Sequence, residues 1–104
     1  MFKNVLIIGC GLIGSSVLRA LYNKKLSKKI YVLEKSKKYI SKIKKIKTNC
    51  KFIKSLNHEI SNIDLVIICT PMSEYKKIIP KLNHNLNSKC LLLMLDQQKK
   101  ILLI

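Results

Sequence analysis

Three glycines, at residues 9, 11 and 14, carry the clearest chemical signal in the 104-residue sequence. They follow the apolar run 5–8 and precede apolar residues at helical spacing, so they predict a turn from a strand into a helix. In such a turn Gly9 makes the tight bend, Gly11 lets a pyrophosphate approach the backbone, and Gly14 lets the helix pack closely on the strand. Free N–H groups at the helix start then bind the phosphates. The pattern predicts a dinucleotide-binding loop.

A carboxylate after the second predicted strand indicates which dinucleotide is bound. Glu34 follows the apolar run 30–33 and lies about 20 residues beyond Gly14, where a carboxylate accepts hydrogen bonds from the adenosine ribose hydroxyls. Its charge repels a 2′-phosphate, which favours NAD over NADP. Lys35 and the polar residues 36–38 follow directly and could hold such a phosphate. NADP therefore remains an alternative.

Alternating strands and helices must position these residues. We predict strands at residues 3–8, 30–33, 51–54, 64–70 and 90–95, and helices at residues 12–23, 36–47 and 73–79. Residues 24–29 and 55–62 are predicted as connections, with one helical turn possible in the second. Ser73 is a candidate N-cap of the last helix, which Pro80 ends or kinks. This alternation predicts an α/β Rossmann-type fold, with one parallel sheet and helices on both faces.

The strand at residues 64–70 brings a second group of residues to the ligand-binding edge. Cys69, Thr70 and Pro71 stand at its carboxyl end, where open α/β sheets bind their ligands. His58 and His84 are far apart in sequence and have no partner at ligand spacing, so we predict no metal site. These features predict binding of a nucleotide but do not identify a substrate.

The composition is strongly basic, with a net charge of +16 from 21 basic and 5 acidic residues. All the basic residues except Arg19 are lysines, whereas nucleic-acid surfaces favour arginine and interleaved aromatic residues. We therefore predict a solvated lysine surface and no specific nucleic-acid partner. The basic amphipathic helix at residues 36–47 is expected to pack on the sheet rather than lie on a membrane.

Location follows from the apolar runs and the cysteines. No apolar run is long enough to span a membrane, and the run 5–8 is too short for a secretion signal. The four cysteines have no CxxC spacing, so we interpret them as reduced and the chain as cytoplasmic. The length predicts one small domain over residues 1–104.

Three stretches together resemble the N-terminal domain of prephenate and arogenate dehydrogenases. They are Gly-x-Gly-Leu-Ile-Gly-Ser-Ser at residues 9–16, Tyr-Val-Leu-Glu-Lys-Ser at 31–36, and Asp-Leu-Val-Ile-Ile-Cys-Thr-Pro at 64–71. The resemblance covers about residues 3–90, and β-hydroxyacid dehydrogenases and pyrroline-carboxylate reductases share parts of it. It implies oxidative decarboxylation of prephenate or arogenate in tyrosine biosynthesis, with hydride passed to NAD or NADP.

The resemblance also implies cofactor contacts at matching positions. The pyrophosphate loop corresponds to Gly9, Gly11, Leu12, Ile13 and Gly14. The adenosine ribose site corresponds to Glu34 and Lys35, and the stretch beside the nicotinamide ribose corresponds to Cys69, Thr70 and Pro71.

The tail at residues 94–104 departs from that pattern. Relatives continue with an Asp-Val-Gly-Ser-x-Lys segment, which this tail lacks, although a back-translation in another reading frame encodes it. We hypothesise a frameshift near residues 91–93 that leaves the sheet incomplete at its C-terminal end and the substrate and dimerisation domain absent. No catalytic residue is then expected here. The alternatives are another NAD(P)-dependent dehydrogenase or reductase, and a non-catalytic nucleotide-binding module.

Overall fold

The structure is a computed structural model that describes residues 2–9, 11–46, 48–56, 60, 62–70, 72–86, 89–95 and 101–103. Its strands are β1 (Phe2–Ile8), β2 (Ser27–Leu33), β3 (Lys51–Ile53), β4 (Leu65–Ile68), β5 (Leu91–Leu95) and β6 (Ile101–Leu103). Its α-helices are α1 (Leu12–Asn23), α2 (Lys37–Lys45) and α3 (Tyr75–Asn85), and a 3₁₀ turn at Met72–Glu74 precedes α3.

All six strands form one sheet in the order β3-β2-β1-β4-β5-β6. The first five are parallel, and this confirms the predicted α/β Rossmann-type fold. In contrast to the wholly parallel sheet expected, β6 pairs antiparallel with β5. The chain between Leu95 and Ile101 is shorter than the dozen or so residues that a parallel crossover needs, so this pairing must be antiparallel.

The apolar run of β1 is buried on both faces of the sheet. Val5 and Ile7 pack in one cluster with side chains of α1 and α2, including Leu18 and Ile43. Leu6 and Ile8 pack in the other cluster, which includes Tyr75 and Leu82 of α3. Because successive strand residues point to opposite faces, a continuous apolar run is what a sheet covered on both sides requires. β1 is therefore the central element of the domain.

Two predicted element boundaries are wrong at polar residues. β2 begins at Ser27, so part of the segment predicted as a connection belongs to the strand. Lys28 and Lys29 are exposed, but the backbone of β2 pairs with β1 as far as Phe2, and this pairing extends the strand beyond its apolar part. β4 is shorter than predicted and spans Leu65–Ile68.

Of the two alternatives predicted at Pro80, an end or a kink, the end of the last helix is wrong, because α3 continues through Pro80. Proline removes one hydrogen bond from a helix, but buried side chains lie on either side of it, Tyr75 before and Leu82 after. Their packing against the sheet holds both halves of the helix in place. Ser73 is not the N-cap: that position is Glu74, which makes no capping bond through its side chain.

Candidate functional site

A cavity of about 880 Å³ opens at the carboxyl ends of β1, β2, β3 and β4. The strand order reverses at the neighbouring strands β1 and β4, and open α/β sheets bind ligands at such a point. The lining combines apolar, cationic and carboxylate side chains. Its apolar members are Ile8, Leu33, Ile40, Phe52, Ile53, Leu56 and Ile78, its lysines are Lys35, Lys44, Lys54, Lys77 and Lys81, and its carboxylates are Glu34 and Glu74. Gly9, Ser55 and Thr70 complete it.

Gly9 makes the bend at the end of β1. Its φ of +80° lies in the left-handed region, and its N–H donates to the Leu33 carbonyl at 2.8 Å. A Cβ at this position would collide with the Thr70 methyl group and lie 3.1 Å from the Thr70 backbone nitrogen. Both the backbone conformation and the approach of the loop after β4 therefore require glycine here.

Gly11 differs from Gly9 because the space around it is open. It occupies the N-cap position of α1, and its carbonyl accepts from the Ser15 N–H at 2.9 Å. A Cβ here would have the Tyr39 ring as its nearest neighbour, at 4.0 Å, which is ordinary van der Waals contact. The fold therefore leaves room above Gly11. The other predicted loop residues lie in the first turn of α1: Leu12, Ile13 and the buried Gly14.

Glu34 has a structural role that the sequence did not predict. Its Oε1 accepts hydrogen bonds from the backbone N–H groups of Lys35, at 3.0 Å, and Ser36, at 3.1 Å. The Ser36 hydroxyl in turn accepts from the Tyr39 N–H at 3.5 Å and caps α2. Through these two hydrogen bonds Glu34 stabilises the turn between β2 and α2. Half-buried, it also lines the cavity, as does the exposed Lys35.

Thr70 and Cys69 lie on different sides of the sheet edge. The Thr70 Oγ1 is buried and has no hydrogen-bond partner among the described residues, whereas buried hydroxyl groups usually have one. Other parts of Thr70 line the cavity. Cys69 packs instead against the cluster beside α1, and its N–H donates to the Ile8 carbonyl at 2.8 Å. Pro71 lies outside the described residues.

The charges around the cavity favour an anionic ligand. Five lysines and two carboxylates line it, so positive charge is in excess. An electropositive, partly apolar cavity beside a glycine turn and a helix N-terminus is suited to a nucleotide with several phosphates. The residues present therefore fit a dinucleotide.

The opposite edge of the sheet has a smaller hollow, of about 560 Å³, whose polar groups bond to one another. The Lys3 N–H donates to Asp64 Oδ2 at 2.7 Å, and the Asn4 side-chain amide donates to the Asn62 carbonyl at 2.9 Å. Burial raises the pKa of the Cys90 thiol in this hollow, the charge of Asp64 raises it further, and a backbone hydrogen bond with Val66 lowers it.

The described residues form neither a metal-binding cluster nor a membrane-spanning helix. In the part of the chain that the structure describes, no three metal-binding side chains come together. Within the same ranges, none of the helices combines the length and apolar character needed to cross a bilayer. His84 is exposed on α3, and His58 lies outside the described residues.

The sequence predicted four of the seventeen residues that line the cavity, and the other thirteen were missed. The lysines and apolar side chains after β3 and along α3 did not enter the predicted site, above all Lys54, Leu56 and Lys81. The available signal was the position of Lys54 directly after a strand, because all parallel strands end at the same edge of a sheet. Lys77 and Ile78 lie within the predicted helix, whereas Lys81 belongs to the part of α3 that continues beyond Pro80.

Residues 4–95 match the model of a family described as NADP oxidoreductase, coenzyme F420-dependent. The chain belongs to this family. It is therefore an NAD(P)-binding Rossmann domain of the oxidoreductase type. No curated protein gives a significant match to the sequence of this family member.

Solved structures similar to this family member include dehydrogenases and a reductase. Prephenate dehydrogenase from A. aeolicus, in complex with hydroxyphenyl propionate and NAD+, has a TM-score of 0.80 and 24% identity, over 92% of this chain and 34% of that one. Synechocystis arogenate dehydrogenase has a TM-score of 0.71 and 16% identity, over 89% and 32%. Plasmodium falciparum pyrroline carboxylate reductase with NADP bound has a TM-score of 0.70 and 18% identity, over 91% and 33%.

These likenesses show the fold alone. Methyltransferases are also similar, among them an RNA methyltransferase from Salinibacter ruber in complex with S-adenosyl-L-homocysteine, with a TM-score of 0.70 and 18% identity over 88% of this chain and 63% of that one. The chain spans about a third of the length of the dehydrogenase and reductase structures.

Proposed function

We propose that this chain is the NAD(P)-binding portion of a prephenate or arogenate dehydrogenase, which acts by oxidative decarboxylation in tyrosine biosynthesis. One observation carries the proposal: Gly9, Glu34 and Thr70, from three separate strand ends, line one cavity at the point where the strand order reverses. The sequence resemblance to that dehydrogenase family and the fold shared with two such enzymes support it.

In this proposal each part of the cofactor has its own residues. The pyrophosphate lies over Gly9, Gly11 and the first-turn N–H groups of α1, at Leu12, Ile13 and Gly14, where the open space above Gly11 admits it. The adenosine ribose bonds to Glu34, beside Lys35. The nicotinamide ribose lies near the loop of Cys69, Thr70 and Pro71, and the buried Thr70 hydroxyl gains a partner there.

The proposed role of this chain is to bind and orient the cofactor. NAD, when bound, supplies the hydride acceptor. We propose no catalytic residue among residues 1–104, because the resemblance assigns the substrate-polarising histidine and the carboxylate-binding arginine to other parts of longer relatives. Among the described residues, Cys50, Cys69 and Cys90 form no disulfide bond, in keeping with the proposed cytoplasmic location.

A second candidate is another NAD(P)-dependent dehydrogenase or reductase. The family description, which names NADP, and the fold shared with a reductase that has NADP bound favour it. A non-catalytic nucleotide-binding module is the third candidate. The DNA downstream of codon 93 distinguishes the first from the others: we expect a second reading frame there that encodes Asp-Val-Gly-Ser-x-Lys and a helical domain. A single frame without these would contradict the dehydrogenase assignment and the frameshift.

Cofactor binding is tested by titrating the 104-residue chain with NADH and with S-adenosylhomocysteine, read by ligand fluorescence or calorimetry. We expect NADH to bind and S-adenosylhomocysteine not to bind. Gly11→Val should weaken NADH binding at least tenfold, about 1.4 kcal/mol, because the valine occupies the space over the loop. The thermal midpoint should change little, since nothing closer than the Tyr39 ring lies there.

Ala20→Val is the matched control, since it adds the same side chain to an exposed position of the same helix. It should leave NADH binding unchanged. Equal NADH affinity in wild type and Gly11→Val would contradict the proposed pyrophosphate site, and tight binding of S-adenosylhomocysteine would contradict the oxidoreductase assignment.

A further inference from the structure

Lys54 lies beside Glu34 at the ligand-binding edge, although it is 20 residues away in the sequence. In the parallel pairing of β2 and β3, Leu33 is the partner of Ile53. Glu34 and Lys54 follow directly after the last residues of the two strands, and paired strands are about 4.8 Å apart. Both side chains line the same cavity, and Lys54 is exposed.

The negative charge of Glu34 is also offset by its own surroundings. Its Oε1 accepts two backbone N–H groups, from Lys35 and Ser36, and these donors stabilise the charge of the carboxylate. The ammonium groups of Lys35 and Lys54 belong to the same cavity. In dinucleotide-binding folds a carboxylate after β2 favours NAD, whereas a nearby cationic side chain accommodates the 2′-phosphate of NADP. This edge has both kinds of group, because Lys35 and Lys54 line the cavity together with Glu34.

We propose that Lys54, together with Lys35, forms a subsite for the 2′-phosphate of an adenosine ribose. The cavity then binds NADP(H) as well as NAD(H), in spite of Glu34. This inference rests on the proposed function, because it requires the adenosine ribose to lie at Glu34. Lys54 is then a residue that determines cofactor specificity. It follows the edge strand β3 and belongs neither to the glycine loop nor to the turn after β2.

The test compares two lysines of the same edge strand. Lys54→Gln removes the charge at the cavity, whereas Lys51→Gln removes the same charge at the other end of β3, at an exposed residue outside the cavity lining. The 104-residue chain and both variants are titrated with NADPH and NADH. The adenosine half is probed separately with 2′,5′-ADP and 5′-AMP, which differ by the 2′-phosphate alone.

We expect Lys54→Gln to weaken binding of NADPH and 2′,5′-ADP about fivefold, as for one exposed ion pair. In Lys54→Gln, binding of NADH and 5′-AMP should change less than about twofold. Lys51→Gln should lower neither the preference for NADPH over NADH nor the preference for 2′,5′-ADP over 5′-AMP. Raising the salt concentration should reduce NADPH affinity more steeply than NADH affinity in wild type, and this difference should shrink in Lys54→Gln.

Two results would overturn the inference and leave the proposed function standing. One is binding of NADH without binding of NADPH, and the other is equal losses for both dinucleotides in Lys54→Gln. If the folded wild-type chain bound neither dinucleotide, the proposed function would fail and the inference with it.

Discussion

At the amino-terminal edge of the sheet, the backbone N–H of Lys3 bonds to the Asp64 carboxylate, and the Asn4 amide bonds to the Asn62 carbonyl. At the carboxyl-terminal edge, Glu34 and Thr70 face a larger cavity together with several lysines. Polar residues thus occur at both ends of the strands. The first set connects the start of β1 to the segment before β4, whereas the second surrounds a space large enough for a ligand.

The difference shows how one sheet separates stability from binding. The carbonyl of Asp64 accepts from the Leu91 N–H at 2.9 Å, so this residue also continues the ladder between β4 and β5. Asp64 is the first residue of the stretch at residues 64–71 that resembles the dehydrogenases, but its contacts stabilise the fold and lie at the edge opposite the cavity. At the other edge, the Thr70 hydroxyl is buried without a hydrogen-bond partner among the described residues, whereas the polar groups around Asp64 bond to one another.

The largest effect is expected at Gly9, which lines the cavity and is also required for folding. Gly9→Ala should lower the free energy of unfolding by about 3 kcal/mol, because alanine is strained at positive φ and its Cβ collides with Thr70. Urea denaturation followed by circular dichroism measures this loss. Gly11→Ala is the control and should stay within about 1 kcal/mol of wild type. Equal losses at both glycines would contradict the distinction between a glycine for folding and one for binding.

A smaller effect is expected at the amino-terminal edge. Asp64→Ala should lower the free energy of unfolding by about 1 kcal/mol, because the Lys3 N–H loses its acceptor. Asp64→Asn keeps an oxygen there and should recover most of that loss. NADH affinity, measured in the same titration, should not change in either variant. A change in affinity without a change in stability would contradict the assignment of stability to the amino-terminal edge and of ligand binding to the carboxyl-terminal edge.

The local patterns in the sequence were sufficient for the fold. The buried run of β1, the glycine turn and the span of α1 follow from periodicity and spacing, since these signals lie within a few residues of one another. The local patterns did not predict the helix and strand boundaries that depend on tertiary packing. Burial of Tyr75 and Leu82 carries α3 through Pro80, and pairing with β1 extends β2 into a lysine-containing segment.

The candidate site likewise has residues that the sequence predicted and residues that it did not. Gly9, Glu34, Lys35 and Thr70 were predicted from motifs and do line one cavity, while their roles toward a cofactor stay predictions. Lys54 was missed although a strand was predicted at residues 51–54, because the pairing of this strand with β2 and its register depend on packing within the sheet. The bonds of Glu34 to its own turn were missed because a motif carries no information on the backbone N–H donors of the fold that compete for the carboxylate. The frameshift in the tail also stays a prediction.

The smallest effect is expected at Glu34, which has a role in the fold and a proposed role in binding. Glu34→Gln keeps an oxygen for the N–H groups of Lys35 and Ser36 but removes the charge. NADH affinity should fall about threefold, through the weaker acceptor for the ribose hydroxyls, and the preference for NADPH over NADH should rise. Parallel titrations with the two dinucleotides measure both quantities.

Glu34→Ala separates the two roles of this residue. It removes the acceptor of the turn as well as the charge, so its thermal midpoint should fall below that of Glu34→Gln, and NADH affinity should fall further because the start of α2 is less firmly held. If Glu34→Gln bound NADH as tightly as wild type while Glu34→Ala lost both stability and affinity, Glu34 would act through the turn alone. The carboxylate would then be a structural group, like Asp64 at the opposite edge.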